Sequence, residues 1–191
     1  MKNSYRFFVL FVLSLALIAY GCSARPTEQI AKAEKAMQQA QAEHADLFSP
    51  EDWIAAEKAW KDAQVKLDQR KYGDATLLLL KAKTRYEKAR DIAKGKRAIA
   101  IKEITDLQNT IDLRCKGLKS GIDTKGRKLT AKQKQSLGET CKSVEEKLVK
   151  IKTQLDQAQY QDAKFLAQTT LHEVYEGEKE LEDYLGGKKK S

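Results

Sequence analysis

The sequence predicts an all-α protein, an elongated antiparallel helical bundle in which two three-helix units share a long central helix. Apolar residues recur in steps of three and four through most of the chain, which is the spacing of one face of a helix. The composition is rich in Ala, Lys, Glu, Gln and Leu and holds only two prolines, as in helical proteins. One stretch of sequence also returns 88 residues later, which indicates an internal repeat.

The first 21 residues predict a signal peptide. Lys2 and Arg6 form a short positive segment, and an uncharged apolar run of thirteen residues follows from Phe7 to Ala19. A run of this length is shorter than the roughly 20 residues of a transmembrane helix, but it suits a secretory signal. Its removal takes two positive charges from the chain, so the formal charge falls from +9 to +7.

The segment 18–22 (IAYGC) resembles the lipobox of bacterial lipoproteins. The resemblance implies cleavage before Cys22, acylation there, and membrane attachment through several acyl chains, which hold stably where one chain does not. Ser23 stands where an Asp tends to retain such lipoproteins in the inner membrane. The resemblance therefore implies the outer membrane, facing the periplasm. The alternative is an ordinary secretory signal with a chance cysteine.

Two helices are expected before the long central one, at 28–45 and 50–70. The second has several agreeing start signals, because Ser49 can cap it, Pro50 suits its first position and two acidic residues follow at its positive end. Its two tryptophans could stack on a ligand. Their helical spacing beside Ala and Leu favours a place in the core instead.

The long central helix is expected at 74–118, with an apolar stripe on each half. The stripe residues are Ala75, Leu79, Ala82, Tyr86, Ala89 and Ala93, then Ala100, Ile104, Leu107, Ile111 and Leu118. Gly95 separates the two stripes, and the heptad register slips by one residue across it, which predicts a kink or a unit boundary. At about 1.5 Å per residue the helix would reach roughly 65 Å and form a rod. If the last two helices fold back along its first half, one compact bundle results.

The turn after the second helix returns near the end of the chain. Residues 67–75 (LDQRKYGDA) and 155–163 (LDQAQYQDA) share Leu, Asp, Gln, Tyr, Asp and Ala at corresponding positions. The same offset carries the apolar stripe of the second helix onto that of the helix before the second turn. The sequence therefore predicts two copies of one helical hairpin, with the last two helices at 131–157 and 161–185.

This hairpin resembles the helix-turn-helix of tetratricopeptide repeats, in which a Tyr and a following Ala open the second helix. From Pro26 to about Ala93, an Ala-rich helix, a Ser-Pro-Glu helix start and a Lys-Tyr-Gly-Asp-Ala turn follow in order. This order resembles a family of bacterial lipoproteins built on an Ala-rich helical domain of unknown function. The resemblance implies an envelope location and a helical fold, and it supplies no catalytic residues.

The expected organisation has five parts. They are a signal peptide (1–21), a lipidated tether (22–27), an N-terminal helical unit (28–95), a C-terminal helical unit (96–185) and a basic tail (186–191).

The positive charge of the chain is concentrated around one expected loop, 120–128. The segment from Arg114 to Lys134 contains eight basic residues and one acidic residue, Asp123, so its formal charge is +7. The candidate partner-binding residues are Lys116, Lys119, Lys125, Arg127, Lys128, Lys132 and Lys134. Such a patch suits an acidic envelope protein or the carboxylates of peptidoglycan. Nucleic acid is not expected beyond a secretion signal, and no aromatic residue interrupts the basic run. The alternative is a solvated loop without a partner.

Cysteine usage points to one crosslink. If Cys22 is acylated, Cys115 and Cys141 are the remaining cysteines. They flank the basic loop on two helices that must run antiparallel. In an oxidising compartment we expect a disulfide between them, which would contribute roughly 3 kcal/mol in the chain-entropy model. The alternative is a pair of buried free thiols.

No arrangement of residues in the sequence indicates a catalytic site. His44 and His172 are far apart and lack neighbours at metal-ligand spacing, and the common catalytic and phosphate-binding motifs do not occur. We therefore expect no enzyme activity, no metal and no cofactor. The expected function is a non-catalytic structural or adaptor module of the envelope, anchored to the membrane through Cys22. The alternative is a periplasmic carrier or sensor that holds a small ligand between helices.

Overall fold

A computed structural model describes residues 24–186 of the chain. Over this range the fold is helical without any strand, which confirms the predicted all-α class. The helices are α1 (Thr27–Ala42), α2 (Ala45–Phe48), α3 (Pro50–Asp68), α4 (Tyr72–Lys125), α5 (Ala131–Asp156) and α6 (Tyr160–Leu185), and a 3₁₀ turn (Gly126–Lys128) connects α4 to α5. The expected signal peptide, Cys22, Ser23 and residues 187–191 of the tail lie outside the described residues.

The chain divides into two compact units between Lys96 and Arg97, one residue from the expected position. Unit 1 contains α1, α2, α3 and the first part of α4. Unit 2 contains the remainder of α4, the 3₁₀ turn, α5 and α6. The helix α4 runs through Gly95 without a break.

Unit 1 is packed around alanine. All six stripe residues expected on the first half of α4 are fully buried. Alanines of α1 and α3 complete the core, and the two tryptophans of α3 pack against it, as the sequence predicts. The ring of Tyr86 meets that of Trp53 edge to face, with centroids 5.2 Å apart. Ion pairs of Asp52 with Arg85 and of Lys66 with Asp74 fix α3 antiparallel to α4.

Unit 2 has an aliphatic core. Its fully buried side chains include Ile104, Ile111, Leu137, Val144, Ile151 and Val174. The helix α6 runs parallel to α4, since Lys164 pairs with Glu103 near one end and Arg114 with Glu178 further along. The connecting helix α5 packs on α4 near Cys115 and Cys141 and on α6 near Lys147 and Glu173. The short connections before and after α5 make it antiparallel to both helices.

The structure confirms the predicted repeat. The helices α3 and α5 end at Asp68 and Asp156, and α4 and α6 begin at Tyr72 and Tyr160, in each case 88 residues apart. Between them, Arg70 and Ala158 adopt the left-handed conformation, with φ of 56° and 59°. The next residue of each turn donates to the carbonyl five residues back, at 2.9 and 2.8 Å. Both turns are therefore Schellman motifs with the same hydrogen bonds.

Three expectations about local structure are wrong. Residues 120–125 are helical and 126–128 form a 3₁₀ turn, so the expected loop 120–128 does not exist. Gly121 serves close packing there, because a Cβ at this position would lie 2.7 Å from Cδ2 of Leu181. The first helix ends at Ala42, since His44 takes a left-handed φ of 55° before α2 begins. Ser49 precedes α3 but makes no side-chain capping hydrogen bond.

Candidate interaction site

The helix α5 extends beyond the repeated hairpin by one heptad. The repeat offset maps Pro50, the first residue of α3, onto position 138, yet α5 begins at Ala131. Accordingly α3 has 19 residues and α5 has 26. Seven residues are about two helical turns, or roughly 10 Å. Unit 2 therefore carries an extension that unit 1 lacks, and it leads directly from the 3₁₀ turn.

Five cations lie at the end of α4, on the 3₁₀ turn and on this extension. They are Lys125, Arg127, Lys128, Lys132 and Lys134, and together we call them the basic turn. All five are exposed, and none makes an ion pair with any residue between 24 and 186. No acidic residue occurs among residues 125–134, so this segment carries a formal charge of +5.

The backbone of the basic turn is held in place by its neighbours. Leu129 and Leu137 are buried, and the side chain of Lys134 covers Gly126, where an added Cβ would lie 3.2 Å from Cε. Thr130 and Gln133 form a reciprocal capping box. The Thr130 N–H donates to Oε1 of Gln133 at 2.8 Å, and the Gln133 N–H donates to Oγ1 of Thr130 at 3.3 Å. The five cations therefore project from a defined backbone.

The remaining basic residues of the region have partners within unit 2. Lys116 pairs with Asp112 at 2.7 Å, and Lys119 pairs with Glu145 across the interface between α4 and α5. The hydrogen bond to Glu145 raises the pKa of Lys119. Arg114 pairs with Glu178 and lies over the ring of Tyr175, 4.1 Å from its centroid. The seven candidate residues thus separate into two that stabilise the bundle surface and five that remain available.

Unit 1 has a connection of opposite charge at the corresponding end. Between α1 and α3 the segment 43–52 contains Glu43, Asp46, Glu51 and Asp52 and no Lys or Arg, a formal charge of −4. Burial alone would raise the pKa of Asp52, but its hydrogen bonds from Lys88 and Arg85 outweigh burial and lower that pKa. Asp52 is therefore committed to the packing of α3 on α4.

The structure brings the two predicted cysteines together. Cys115 on α4 and Cys141 on α5 are both buried free thiols, and Sγ of Cys115 is 3.8 Å from the carbonyl oxygen of Cys141. The contact agrees with the antiparallel pairing expected for their helices. The disulfide itself stays a prediction.

Shallow grooves occur on the surface of both units. Four grooves of about 270–370 Å³ lie between neighbouring helices or at a helix end. The one between α4 and α6, for example, is lined by Glu103, Leu107 and Lys164. Residues 24–186 contain no group of three His, Cys, Asp or Glu placed to hold a metal ion. Within the same range, every helix is too short or too polar to cross a membrane.

The start of α5 at Ala131 agrees with the expected helix 131–157, and its first seven residues lie outside the repeat. Sequence reasoning missed the ion pairs that separate Lys116 and Lys119 from the other five candidates. Comparisons with protein-family models, with curated proteins and with solved structures gave no match. The interpretation therefore depends on the residues of this chain.

Proposed function

We propose that the protein is a non-catalytic adaptor of the bacterial envelope, anchored through acyl chains on Cys22, and that its basic turn binds an acidic partner. The partner is an acidic envelope protein or the carboxylates of peptidoglycan. The observation that supports this proposal is the set of five exposed and unpaired cations on a backbone fixed by a capping box.

Helix electrostatics indicate that Lys132 and Lys134, at the start of α5, are not there to stabilise their helix. Lys125 differs, because it lies in the last turn of α4, the negative end of that helix, where a cation is favourable. The N-terminus of a helix is its positive end, where acidic side chains are favourable and basic ones cost about 0.3–1 kcal/mol each. The helix α3 follows this rule, with Glu51 and Asp52 in its first turn. The helix α5 breaks it, with no acid in its first turn and with Lys132 and Lys134 among its first four residues. Local rules of stability are most often broken where a surface has another purpose.

The envelope location and the anchor come from the lipobox resemblance of residues 18–22. The adaptor role follows from a surface that can bind but offers no catalytic group, and from helical hairpins of a kind that present surfaces to partners in repeat proteins. Because exposed charges are screened over about 8–10 Å at physiological ionic strength, binding by the basic turn should weaken with salt.

The test is capture of envelope material by a tagged full-length protein. The variant Lys125→Gln/Arg127→Gln/Lys128→Gln removes three charges from the basic turn. The control Lys142→Gln/Lys150→Gln/Lys152→Gln removes three exposed charges from α5, away from the turn. We expect capture to fall roughly tenfold in the turn variant, since three exposed contacts of about 0.5 kcal/mol each are lost, and to be unchanged in the control.

Two further comparisons complete the experiment. Capture by the wild-type protein should decrease at high salt, and prior digestion of the envelope with a muramidase separates a protein partner, which survives, from peptidoglycan, which does not. Equal capture by the two variants, independent of salt, would show that the basic turn is only solvated.

A further inference from the structure

The two cysteines of unit 2 form a facing pair that the adaptor function does not use. They are 3% and 1% exposed, and they lie on the adjoining faces of α4 and α5. Burial is the largest cause that raises the pKa of Cys141, and the charge of an ionised Cys115 and a side-chain hydrogen bond between the two thiols add to it. Two buried thiols on adjoining faces of neighbouring helices are placed so that a small local movement could join them in a disulfide.

We propose that Cys115 and Cys141 are a thiol–disulfide exchange site that closes into an intramolecular disulfide, and that the folded bundle prevents the exchange until α4 and α5 separate locally. The oxidant is an external disulfide, either a small molecule or an oxidoreductase. The proposal does not rest on the adaptor function, and it concerns residues outside the basic turn.

The reaction balances as two successive exchanges. One cysteine thiolate attacks a sulfur of the external disulfide, whose sulfur–sulfur bond breaks, and one external thiolate leaves and takes up a proton. The second cysteine then attacks the protein sulfur of the mixed disulfide and expels the second external thiol. The pair loses two protons and two electrons, the electrons reduce the external disulfide, and one bond joins Cys115 to Cys141.

Access is the first obstacle in the folded protein. The groove that reaches the pair has a volume of about 280 Å³, and Cys141 lines it while Cys115 does not. Lys119 from α4 and Glu145 from α5 line the same groove and form an ion pair across it. Because Cys141 is almost completely buried even so, an attacking disulfide must displace this ion pair and part the helices.

Ionisation is the second obstacle. The thiolate is the reactive form, and burial disfavours it. Burial raises the pKa of Cys141 to about 12, and it also raises the pKa of Cys115. Both obstacles disappear when the helices separate, so exchange should be confined to the unfolded chain and to rare openings. Once formed, the bond is shielded from reduction in the same way.

The test uses full-length protein carrying Cys22→Ser, so that only the pair contributes thiols. The reduced protein is mixed with oxidised glutathione at mildly alkaline pH, either in buffer or in enough urea to unfold it. Samples are quenched with acid and alkylated, and the products are identified by mass. We expect exchange in buffer to be slower on the order of 100-fold, with a product that has lost two hydrogens and carries no glutathione.

The single variants Cys115→Ser and Cys141→Ser give the matched controls. Each should form a glutathione adduct in urea and resist in buffer. Equal rates with and without urea would overturn the protection, and stable glutathione adducts on both cysteines would overturn the pairing. The oxidised protein should also refold to the far-ultraviolet circular dichroism of the reduced one. Failure to refold would show that the native helices cannot accommodate the bond.

Discussion

The two units contain the same hairpin with different cores. In both units, the turn has a left-handed residue, a Schellman hydrogen-bond pair and a Tyr that begins the next helix. The core of unit 1 consists mainly of alanines with the Tyr86 ring among them and Trp53 packed against them. The core of unit 2 consists mainly of Ile, Leu and Val and contains two thiols. The turn is therefore determined locally, by a few residues around it, and it tolerates either kind of core. Where the two units differ, the difference shows which features each unit has in addition to the shared hairpin.

The clearest of these differences is electrostatic. The connection that precedes the hairpin has a formal charge of −4 in unit 1, and its Asp52 is bound to α4. In unit 2 the segment 125–134 carries +5 and none of it is paired within the described chain. Unit 1 thus uses one of its four acids, Asp52, in packing while Asp46 and Glu51 stay exposed, whereas in unit 2 all five cations are exposed and lie on or beside the added heptad. This contrast is the reason to place partner binding in unit 2.

The largest expected change in stability comes from truncating two equivalent core residues, one in each unit. Tyr86 in unit 1 corresponds to Val174 in unit 2, and both are fully buried. We expect Tyr86→Ala to lower the stability of unit 1 by about 3–5 kcal/mol, because Tyr86 is the one large side chain among the buried alanines of its cluster. Val174→Ala should lower that of unit 2 by about 1.5–3 kcal/mol. Amide hydrogen exchange resolved by unit measures both, and equal losses would show that the cores do not differ in this way.

A smaller effect concerns the hydroxyl of Tyr86, which is buried without a hydrogen-bond partner. Tyr86→Phe should raise the stability of unit 1 by about 1–2 kcal/mol, since an unsatisfied buried donor is removed. The matched change in unit 2 is Thr170→Val, which should bring no gain, because the Thr170 hydroxyl donates to the carbonyl of Leu166. Unfolding each variant in urea at neutral pH, with hydrogen exchange used to monitor each unit, measures the two changes in stability.

The same hydroxyl also predicts a pH dependence for unit 1. Burial, with a smaller contribution from Glu57, raises the pKa of Tyr86 from 10.0 to about 12. The folded state holds the phenolic proton more tightly than the unfolded state does. Ionisation of Tyr86 therefore leaves the stability of unit 1 unchanged below pH 10 and lowers it as the pH rises towards 12. The Tyr86→Phe protein should lack this loss. A wild-type protein equally stable over that range would contradict the burial of an unpaired hydroxyl.

The smallest effect compares the two helix starts. Thr130 caps α5 through a capping box, while Ser49 makes no capping hydrogen bond at α3. Thr130→Ala should therefore cost about 1 kcal/mol, and Ser49→Ala only a few tenths. Thermal unfolding of the two variants gives the comparison. A larger cost at Ser49 would mean that its hydroxyl caps α3 in solution.

Much of this fold could be predicted because its signals are local and periodic. The stripe on the first half of α4 was predicted in full, as was the repeat, since both depend on side-chain spacing along one helix. The wrong loop at 120–128 had a tertiary cause. Glycines and lysines at this density usually indicate a loop, and only the close approach of Leu181 explains a glycine inside the helix at position 121.

The candidate site was predicted in outline and not in detail. Charge counting found the region, but it could not separate Lys116 and Lys119, which have partners, from the five cations that do not. That separation depends on which acids α4 and α5 bring near, and α5 begins earlier than the repeat alone would place it. The contact between Cys115 and Cys141 was predictable, because a tight connection forces their two helices to run antiparallel.

Photocrosslinking in intact cells at two positions of α5 tests directly whether the basic turn binds a partner. A photoreactive amino acid replaces Ala131, which lies within the basic turn and leaves all five cations in place, or Val149, which is 68% exposed further along the same helix. Binding by the basic turn should give a discrete adduct from position 131, lost when Lys125, Arg127 and Lys128 are changed to Gln, and none from position 149. An adduct from position 149 of equal yield, or one from position 131 that persists without the three cations, would contradict binding by the basic turn.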